Sequence, residues 1–299
     1  MTRDYEEYLK DDNLHINWYP GHMKKTKEMV QNNLKLVDVV IELLDARIPL
    51  SSKNPEIDKL AQNKPRVVVL NKSDLSDKAK LNKWISYYQS KGIKAIPVDT
   101  LKGNGVNKIV EECKNATKEK MDALKEKGRK ERAIRVMIVG VPNVGKSSLI
   151  NKLTGRKSTQ TGDRPGVTKG KQWVRLKGNL ELLDTPGILW PKFEDQKIAL
   201  NLAFTRAIKD EILDIDTLGL KFIEKMSEIE PEKLKVRYKL DSLGEEPLET
   251  MEMIGRKRGF ILGRNELDYT RIAKTVLNEF REGKLGQITL EVPEDIEEA

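Results

Sequence analysis

The stretch from residue 134 to residue 150 constrains the fold of this chain more than any other. It reads IRVMIVGVPNVGKSSLI, an apolar run that ends at Gly140, followed by Gly145, Lys146 and Ser147 and then by apolar residues at helical spacing. A strand, the spacing G-x-x-x-x-G-K-S and a helix together are typical of a phosphate-binding loop. A glycine turn that matches by chance is the alternative, and the complete context disfavours it.

The chemistry of phosphate binding explains the residue types in this loop. Glycines let the backbone curl so that N–H groups point at phosphate oxygens, and the helix that begins near Lys146 directs its positive end at the same anion. Lys146 is predicted to act as a catalytic residue by reaching the β- and γ-phosphates, and the Ser147 hydroxyl to bind Mg²⁺. The other predicted nucleotide contacts of the loop are Pro142, Asn143, Val144, Gly145 and Ser148.

The motif Asn71-Lys72-Ser73-Asp74 predicts which base the nucleotide carries. The Asp74 carboxylate can accept hydrogen bonds from N1–H and the 2-amino group of guanine, whereas adenine has neither donor on that edge. Asn71 is predicted to contact the base and brace the phosphate loop, and the Lys72 stem to cover one face of the base. A surface turn is the alternative for so short a motif. Together with the phosphate loop, the N-K-S-D motif predicts that the chain binds GTP and GDP. It disfavours an ATP-dependent kinase or ATPase.

A third motif, Asp184-Thr185-Pro186-Gly187, follows a predicted strand downstream of the phosphate loop. Asp184 is predicted to hold Mg²⁺ through water, and the Gly187 N–H to meet the γ-phosphate. A strand-end turn is the alternative. In the polar stretch between the two motifs, Thr168 is predicted as the catalytic hydroxyl that completes Mg²⁺ coordination in the GTP state. Thr161 and Thr159 are the alternatives.

The order of the motifs predicts a circular permutation. Asn71 to Asp74 precede the phosphate loop, no second N-K-x-D follows Gly187, and strand patterns end upstream near Leu44, Leu70 and Val98. Such a rotation of the sequence is tolerated when the old termini lie close together and are bridged, here by the charged segment 114–135.

We therefore predict an α/β fold in two domains. Residues 1–205 form a circularly permuted P-loop GTPase domain with a six-stranded, mostly parallel sheet. Residues 206–299 form a mainly α-helical domain in which only 287–292 has a strand-like pattern.

Charge is distributed unevenly between these two domains. Residues 1–205 contain 39 basic and 25 acidic side chains, whereas residues 206–299 contain 16 basic and 22 acidic ones. A positively charged domain attracts polyanions. The segment 114–135 carries nine basic and four acidic residues, and it is either a solvated helical bridge or a contact for RNA.

Composition disfavours three further classes of protein: disulfide-rich, membrane-spanning and metal-cluster proteins. A single cysteine, Cys113, excludes an internal disulfide framework and favours a reducing, cytoplasmic environment. No apolar run approaches the length of a membrane span, so no membrane partner is expected. The two histidines cannot form a metal cluster with one cysteine.

Six motifs give the chain a resemblance to a known family. They are Trp18 to Met23 (WYPGHM), Asp45 to Pro49 (DARIP), Asn71 to Asp74 (NKSD), Gly140 to Ser147, Gly162 to Gly166 (GDRPG) and Asp184 to Pro191 (DTPGILWP). In these segments the chain resembles the ribosome biogenesis GTPase A family, circularly permuted bacterial GTPases that act late in assembly of the large ribosomal subunit. One departure is Asp99-Thr100-Leu101, where related GTPases often have Ser-Ala beside the guanine.

The resemblance implies an assembly factor that binds the large ribosomal subunit and its rRNA in the GTP state and leaves on hydrolysis. It implies a helical C-terminal domain, no DNA partner and a monomer off the ribosome. The alternative is a GTP-gated RNA or protein-binding scaffold whose hydrolysis is incidental.

The residue that orients the attacking water needs a separate hypothesis. Many GTPases use a glutamine just after D-x-x-G, but here Ile188 and Leu189 follow Gly187. His22 is the catalytic candidate, since an imidazole can orient water or accept its proton near neutral pH, and the resemblance agrees. A helix cap or an RNA contact is the alternative. The resemblance also makes Asn143 a possible K⁺ ligand, with an ordinary loop residue as the alternative.

Overall fold

The computed structural model describes residues 23–55, 57–61, 64–155, 173–183 and 195–296. Within these ranges the chain separates into two compact units. The first contains the described residues between 23 and 183 together with 291–296, and the second contains residues 195–290. No helix in these ranges combines the length and the hydrophobicity that crossing a lipid bilayer requires.

The first unit is built on the predicted six-stranded, mostly parallel sheet. Its strands are β1 (Val39–Asp45), β2 (Arg66–Asn71), β3 (Lys94–Val98), β4 (Ile134–Val139), β5 (Trp173–Leu176) and β6 (Leu180–Leu183). They lie in the order β3-β2-β1-β4-β6-β5, and only the β5–β6 pair is antiparallel. All seven residues of β1 are buried, as expected of a strand near the centre of a parallel sheet. Pro97 lies in β3, an edge strand, where a missing N–H is tolerated.

Helices precede or connect the strands of this unit. They are α1 (Met23–Leu34), α2 (Ile57–Leu60), α3 (Lys78–Ser90), α4 (Val106–Glu126) and α5 (Lys146–Thr154). Val30 and Leu34 of α1 are buried, as their spacing predicts. Asp77 caps α3 by accepting a hydrogen bond from the Lys80 N–H at 2.9 Å.

The charged bridge between α4 and β4 is anchored at the start of β1. Helix α4 continues to Glu126, so its last part belongs to the charged segment. The buried Asp38 carboxylate accepts hydrogen bonds from Lys120 Nζ at 2.6 Å and from Arg132 Nη1 at 2.7 Å. Burial alone would raise the pKa of Asp38, but these cations and the Arg135 N–H hold it well below its usual range. Two of the bridge's basic residues therefore have a structural role.

The second unit is helical, with α6 (Gln196–Phe204), α7 (Ile215–Ile229), α8 (Pro231–Tyr238), α9 (Pro247–Arg258) and α10 (Tyr269–Arg281). Phe222 of α7 packs between Phe204 and Phe280, with ring centroids 5.2 and 4.8 Å apart. Gly219 lets α7 approach α10, because an added Cβ there would lie 2.4 Å from the Ala273 Cβ.

The second unit includes α6, because α6 packs on α7 through Phe204. Two other features of this unit differ from the sequence prediction. Helix α9 was not predicted; its Gly255 is a poor helix former, but an added Cβ would lie 2.4 Å from Ile272 Cδ1, so glycine permits close packing. The predicted strand at 287–292 is wrong, since this segment has no strand conformation. Residues 288–291 are all buried, the polar Thr289 and Glu291 included, so burial does not alternate along the segment as its strand-like sequence pattern does.

Candidate nucleotide-binding site

The sequence-predicted nucleotide residues that the structure describes lie at the carboxyl edge of the parallel strands. Strands β1, β2 and β4 end at Asp45, Asn71 and Val139, and because they are parallel, the loops that follow emerge on the same side. Strands β2 and β3 lie on one side of β1 in the sheet, and β4 lies on the other side. The direction in which strands are added therefore changes at β1, and ligands of open α/β sheets bind at such a topological switch point.

The phosphate loop is curled by two tightly packed glycines. An added Cβ at Gly140 would lie 2.6 Å from the Leu43 carbonyl oxygen. Gly145 has φ +103°, and an added Cβ there would lie 2.3 Å from Asn71 Nδ2. Helix α5 begins at the next residue, so the loop directs a helix N-terminus towards the carboxyl edge. A glycine-rich loop that leads directly into a helix N-terminus is an arrangement that binds phosphate.

Asn71 joins three of the predicted segments. Its Nδ2 donates to the Val144 carbonyl of the phosphate loop at 2.7 Å, and its Oδ1 accepts from the Thr100 N–H at 3.3 Å. The side chain is buried. One amide therefore fixes the spacing between the N-K-x-D turn, the phosphate loop and the loop after β3.

Lys72 connects the same turn to β1. Its Nζ donates to Asp45 Oδ2 at 2.8 Å and to the Asn143 carbonyl at 2.9 Å. Arg47 also donates to the Asp45 carboxylate, from Nε at 2.9 Å and Nη2 at 2.7 Å. Burial would raise the pKa of Asp45, but Arg47 and Lys72 hold it well below its usual range. The aspartate is therefore ionised at neutral pH and neutralises two cations beside the loop.

Asp74 lies half-buried in the turn after β2. That turn is held to the neighbouring strand because the Ser73 N–H donates to the Val98 carbonyl at 3.1 Å. The loop after β3 is shaped by Asp99, whose Oδ1 accepts from the N–H groups of Leu101 and Lys102, both at 3.0 Å. The base-recognition candidate and the loop that departs from the family pattern are thus neighbours.

Ser147 is the one predicted Mg²⁺ ligand within the described ranges. It lies half-buried in the first turn of α5, two residues after Gly145, so a hydroxyl follows the phosphate cradle directly. Its chemistry fits a hard cation that is also held by phosphate oxygens. No group of three or more His, Cys, Asp or Glu side chains in the described part of the chain is arranged to hold a metal ion by itself.

Several predicted site residues lie outside the described residues. They are His22, Thr159, Thr161, Thr168, Asp184 and Gly187. The structure instead adds three residues that the site prediction lacked. Asp45 accepts hydrogen bonds from both Lys72 and Arg47, and the Thr100 N–H donates to Asn71. Their position at the end of β1 or shortly after β1 and β3 is the sequence signal that could have identified them.

Comparison with known proteins places this site in a family context. The family model described as 50S ribosome-binding GTPase matches residues 135–249. Ribosome biogenesis GTPase A of Bacillus cereus is 50% identical over 283 residues, which cover 95% of this chain and 96% of the relative.

Two solved structures share the fold. The GDP-bound structure of TM YlqF is 27% identical, has a TM-score of 0.65, and covers 89% of this chain and 100% of that chain. GNP-bound YlqF from T. maritima is 28% identical, has a TM-score of 0.62, and covers 90% of this chain and 99% of that chain. The similarity therefore extends over both compact units.

Proposed function

Since the chain belongs to the ribosome biogenesis GTPase A family and is a GTP hydrolase, we propose that it acts in late maturation of the large ribosomal subunit. It binds the particle in the GTP state, and hydrolysis releases it. The observation that supports a nucleotide-gated role is Asn71, which ties the base-recognition turn to the phosphate loop through the Val144 carbonyl. A structural change at the base-recognition turn would therefore alter the phosphate loop, and a change in the phosphate loop would alter the turn.

The bound nucleotide is GTP or GDP, and different residues of this chain contact its base and its phosphates. Asp74 accepts from the guanine edge, Asn71 and Lys72 frame the base, and the loop from Pro142 to Ser148 surrounds the phosphates. Lys146 reaches the β- and γ-phosphates, and the Gly187 N–H contacts the γ-phosphate. Ser147, Thr168 and, through water, Asp184 would hold Mg²⁺, which would supply positive charge to offset the charge on the phosphate oxygens.

Hydrolysis in this proposal depends on His22 and on a monovalent cation. His22 orients the attacking water, since no hydrogen-bonding side chain follows Gly187 at positions 188 and 189. Asn143 contributes to a K⁺ site that offsets developing negative charge. His22 reaches the attacking water only when the protein is bound to the ribosomal particle, so the particle stimulates GTP turnover.

The partner is the large subunit and its rRNA. The net positive charge of residues 1–205 favours a polyanion, and binding through phosphate contacts falls steeply with salt. The protein acts in the cytoplasm as a monomer off the ribosome, without DNA or membrane partners.

Co-sedimentation tests the proposal. The protein is incubated with large subunits and GTP, GDP or a non-hydrolysable GTP analogue. We expect particle binding with the analogue and release with GDP. The Lys146→Ala variant is the control for nucleotide dependence, since it removes the charge that contacts the phosphates. Equal binding in all nucleotide states would contradict the proposal.

The alternative is a GTP-gated scaffold with incidental hydrolysis. Turnover measured with and without large subunits separates the two functions. A scaffold would bind particles in the GTP state but hydrolyse GTP at the same rate with or without them. An assembly GTPase would hydrolyse GTP faster on the particle.

A further inference from the structure

A buried carboxylate near the end of the chain binds the loop that follows the first strand. Glu291 is only 5% exposed. Its Oε2 accepts from the Leu50 N–H at 2.7 Å, and its carboxylate accepts from the Ser51 N–H at 3.1 Å and from the Ser51 hydroxyl. Charge-assisted bonds of this kind are stronger than neutral ones. The contact joins residues that are 240 positions apart in the chain.

The segment around Glu291 is fastened independently of that carboxylate. Trp84 of α3, which is fully buried, donates its indole N–H to the Glu291 carbonyl at 3.1 Å. Ile296 packs against the hydrophobic cluster that contains Leu44 and Trp84. The segment is therefore held in place by contacts that do not involve the Glu291 carboxylate.

The loop from 45 to 52, which we call the β1 loop, connects this contact to the nucleotide edge. Ser52, next to Ser51, accepts from the Asp45 N–H through its hydroxyl oxygen at 3.0 Å and donates to the Ile48 carbonyl at 2.7 Å. Asp45 in turn accepts from Lys72 Nζ, which also donates to the Asn143 carbonyl of the phosphate loop. Each step is a hydrogen bond or a covalent neighbour within one compact unit.

We infer that Glu291 is a positioning residue for the nucleotide-binding edge, acting through the β1 loop on Asp45 and Lys72. The inference rests on the nucleotide site proposed above. Glu291 is also the residue that follows the second unit in the chain, since that unit ends at Leu290.

Nucleotide release provides the test. The dissociation rate of a fluorescent GDP analogue is measured for the full-length protein, for Glu291→Ala, and for the control Glu294→Ala. Glu294 lies in the same segment, and its exposed carboxylate pairs with Lys83 at 3.0 Å. We expect dissociation to be roughly two- to thirtyfold faster in Glu291→Ala, the range typical of coupling through a packed network, and unchanged in the control.

Two further variants keep the test decisive. Ser51→Ala removes one donor and leaves the carboxylate in place, so it is the substitute if Glu291→Ala does not fold. Glu291→Gln keeps one acceptor oxygen and should give an intermediate rate. A purely structural role would reduce the fraction of protein that binds nucleotide but leave the dissociation rate of the bound fraction unchanged.

The outcomes distinguish this inference from the proposed site. If the unmodified protein does not bind the GDP analogue, the proposed nucleotide site is wrong, and the inference is overturned with it. If the unmodified protein binds and the Glu291 and Ser51 variants release the analogue at its rate, the site stands and only the inference is overturned.

Discussion

The Asn71 side chain donates a hydrogen bond to the backbone carbonyl of Val144 at 2.7 Å. The bond joins the end of β2 to the phosphate loop after β4, two strands that are separated in the sheet by β1. Its short distance depends on Gly145, whose missing side chain leaves room for the amide. The geometry of the nucleotide edge therefore depends on a close approach that most residues would prevent.

Substituting Gly145 tests whether the close contact between residue 145 and the Asn71 amide matters for nucleotide binding. In Gly145→Ala the new methyl group would meet Asn71 Nδ2, and the backbone would keep a left-handed conformation that L side chains rarely adopt. We expect affinity for GDP, measured by isothermal titration, to fall by at least about tenfold. The matched control is Gly92→Ala, where φ is +71° but nothing lies within 4 Å of the added carbon. Equal losses of affinity in both variants would show that the contact with Asn71 is unimportant.

Base selectivity should depend on Asp74. In Asp74→Asn the amide can donate to the 2-oxo group of xanthine but no longer accepts both guanine donors. We expect GTP binding to weaken by about tenfold or more and binding of xanthosine triphosphate to improve. Competition titrations with GTP, ATP and xanthosine triphosphate measure the change. An unchanged base preference would rule out this role for Asp74.

Stability should depend on pH through Glu42 at the centre of β1. Neither carboxylate oxygen accepts a hydrogen bond from the described residues, although Arg66 Nη1 lies 3.4 Å from Oε2. Burial raises the pKa of Glu42 to about 7. The folded state therefore holds a proton that the unfolded state has released, and stability falls as pH rises from about 4.5 to 7.

The Glu42→Gln variant removes this titration. We expect its free energy of unfolding to exceed that of the unmodified protein by about 1–3 kcal/mol at pH 8 and to match it near pH 4.5. Urea unfolding at both pH values gives the comparison, with the exposed Glu126→Gln as control. Parallel pH profiles for the two variants would contradict a raised pKa.

Hydrolysis should respond to the monovalent cation if Asn143 helps to bind K⁺. The residue is exposed in the phosphate loop, where its backbone has φ +56°. We expect GTP turnover to be several-fold faster in KCl than in NaCl at the same ionic strength, because a bound K⁺ offsets charge on the phosphates. Asn143→Ala should remove the difference. Identical rates in the two salts would end the hypothesis.

Particle-stimulated turnover should require His22. In His22→Ala we expect GTP affinity to be retained, since the histidine acts on water rather than on the nucleotide. Turnover with saturating large subunits should fall by roughly 100-fold, as expected when a positioned general base is lost. His15→Ala is the matched control. Turnover like that of the unmodified protein in His22→Ala would exclude the catalytic role.

The sequence by itself determined the six-stranded sheet and the ordered motifs. The spacing from Gly140 to Ser147 predicted the phosphate loop, and the position of Asn71 to Asp74 before that loop predicted the permutation. The structure confirms the six-stranded sheet. These features are readable because a strand, a tight turn and a helix start depend on neighbouring residues and on backbone conformation.

Only the tertiary structure decided which distant residues meet. The bonds from Asn71 to Val144, from Lys72 to Asp45 and from Glu291 to Ser51 join segments whose spacing in the chain is unrelated to their separation in space. The strand-like pattern at 287–292 was misleading, because its polar and apolar residues at 288–291 are buried alike by the rest of the unit. Packing of the whole unit, rather than local backbone preference, set these contacts.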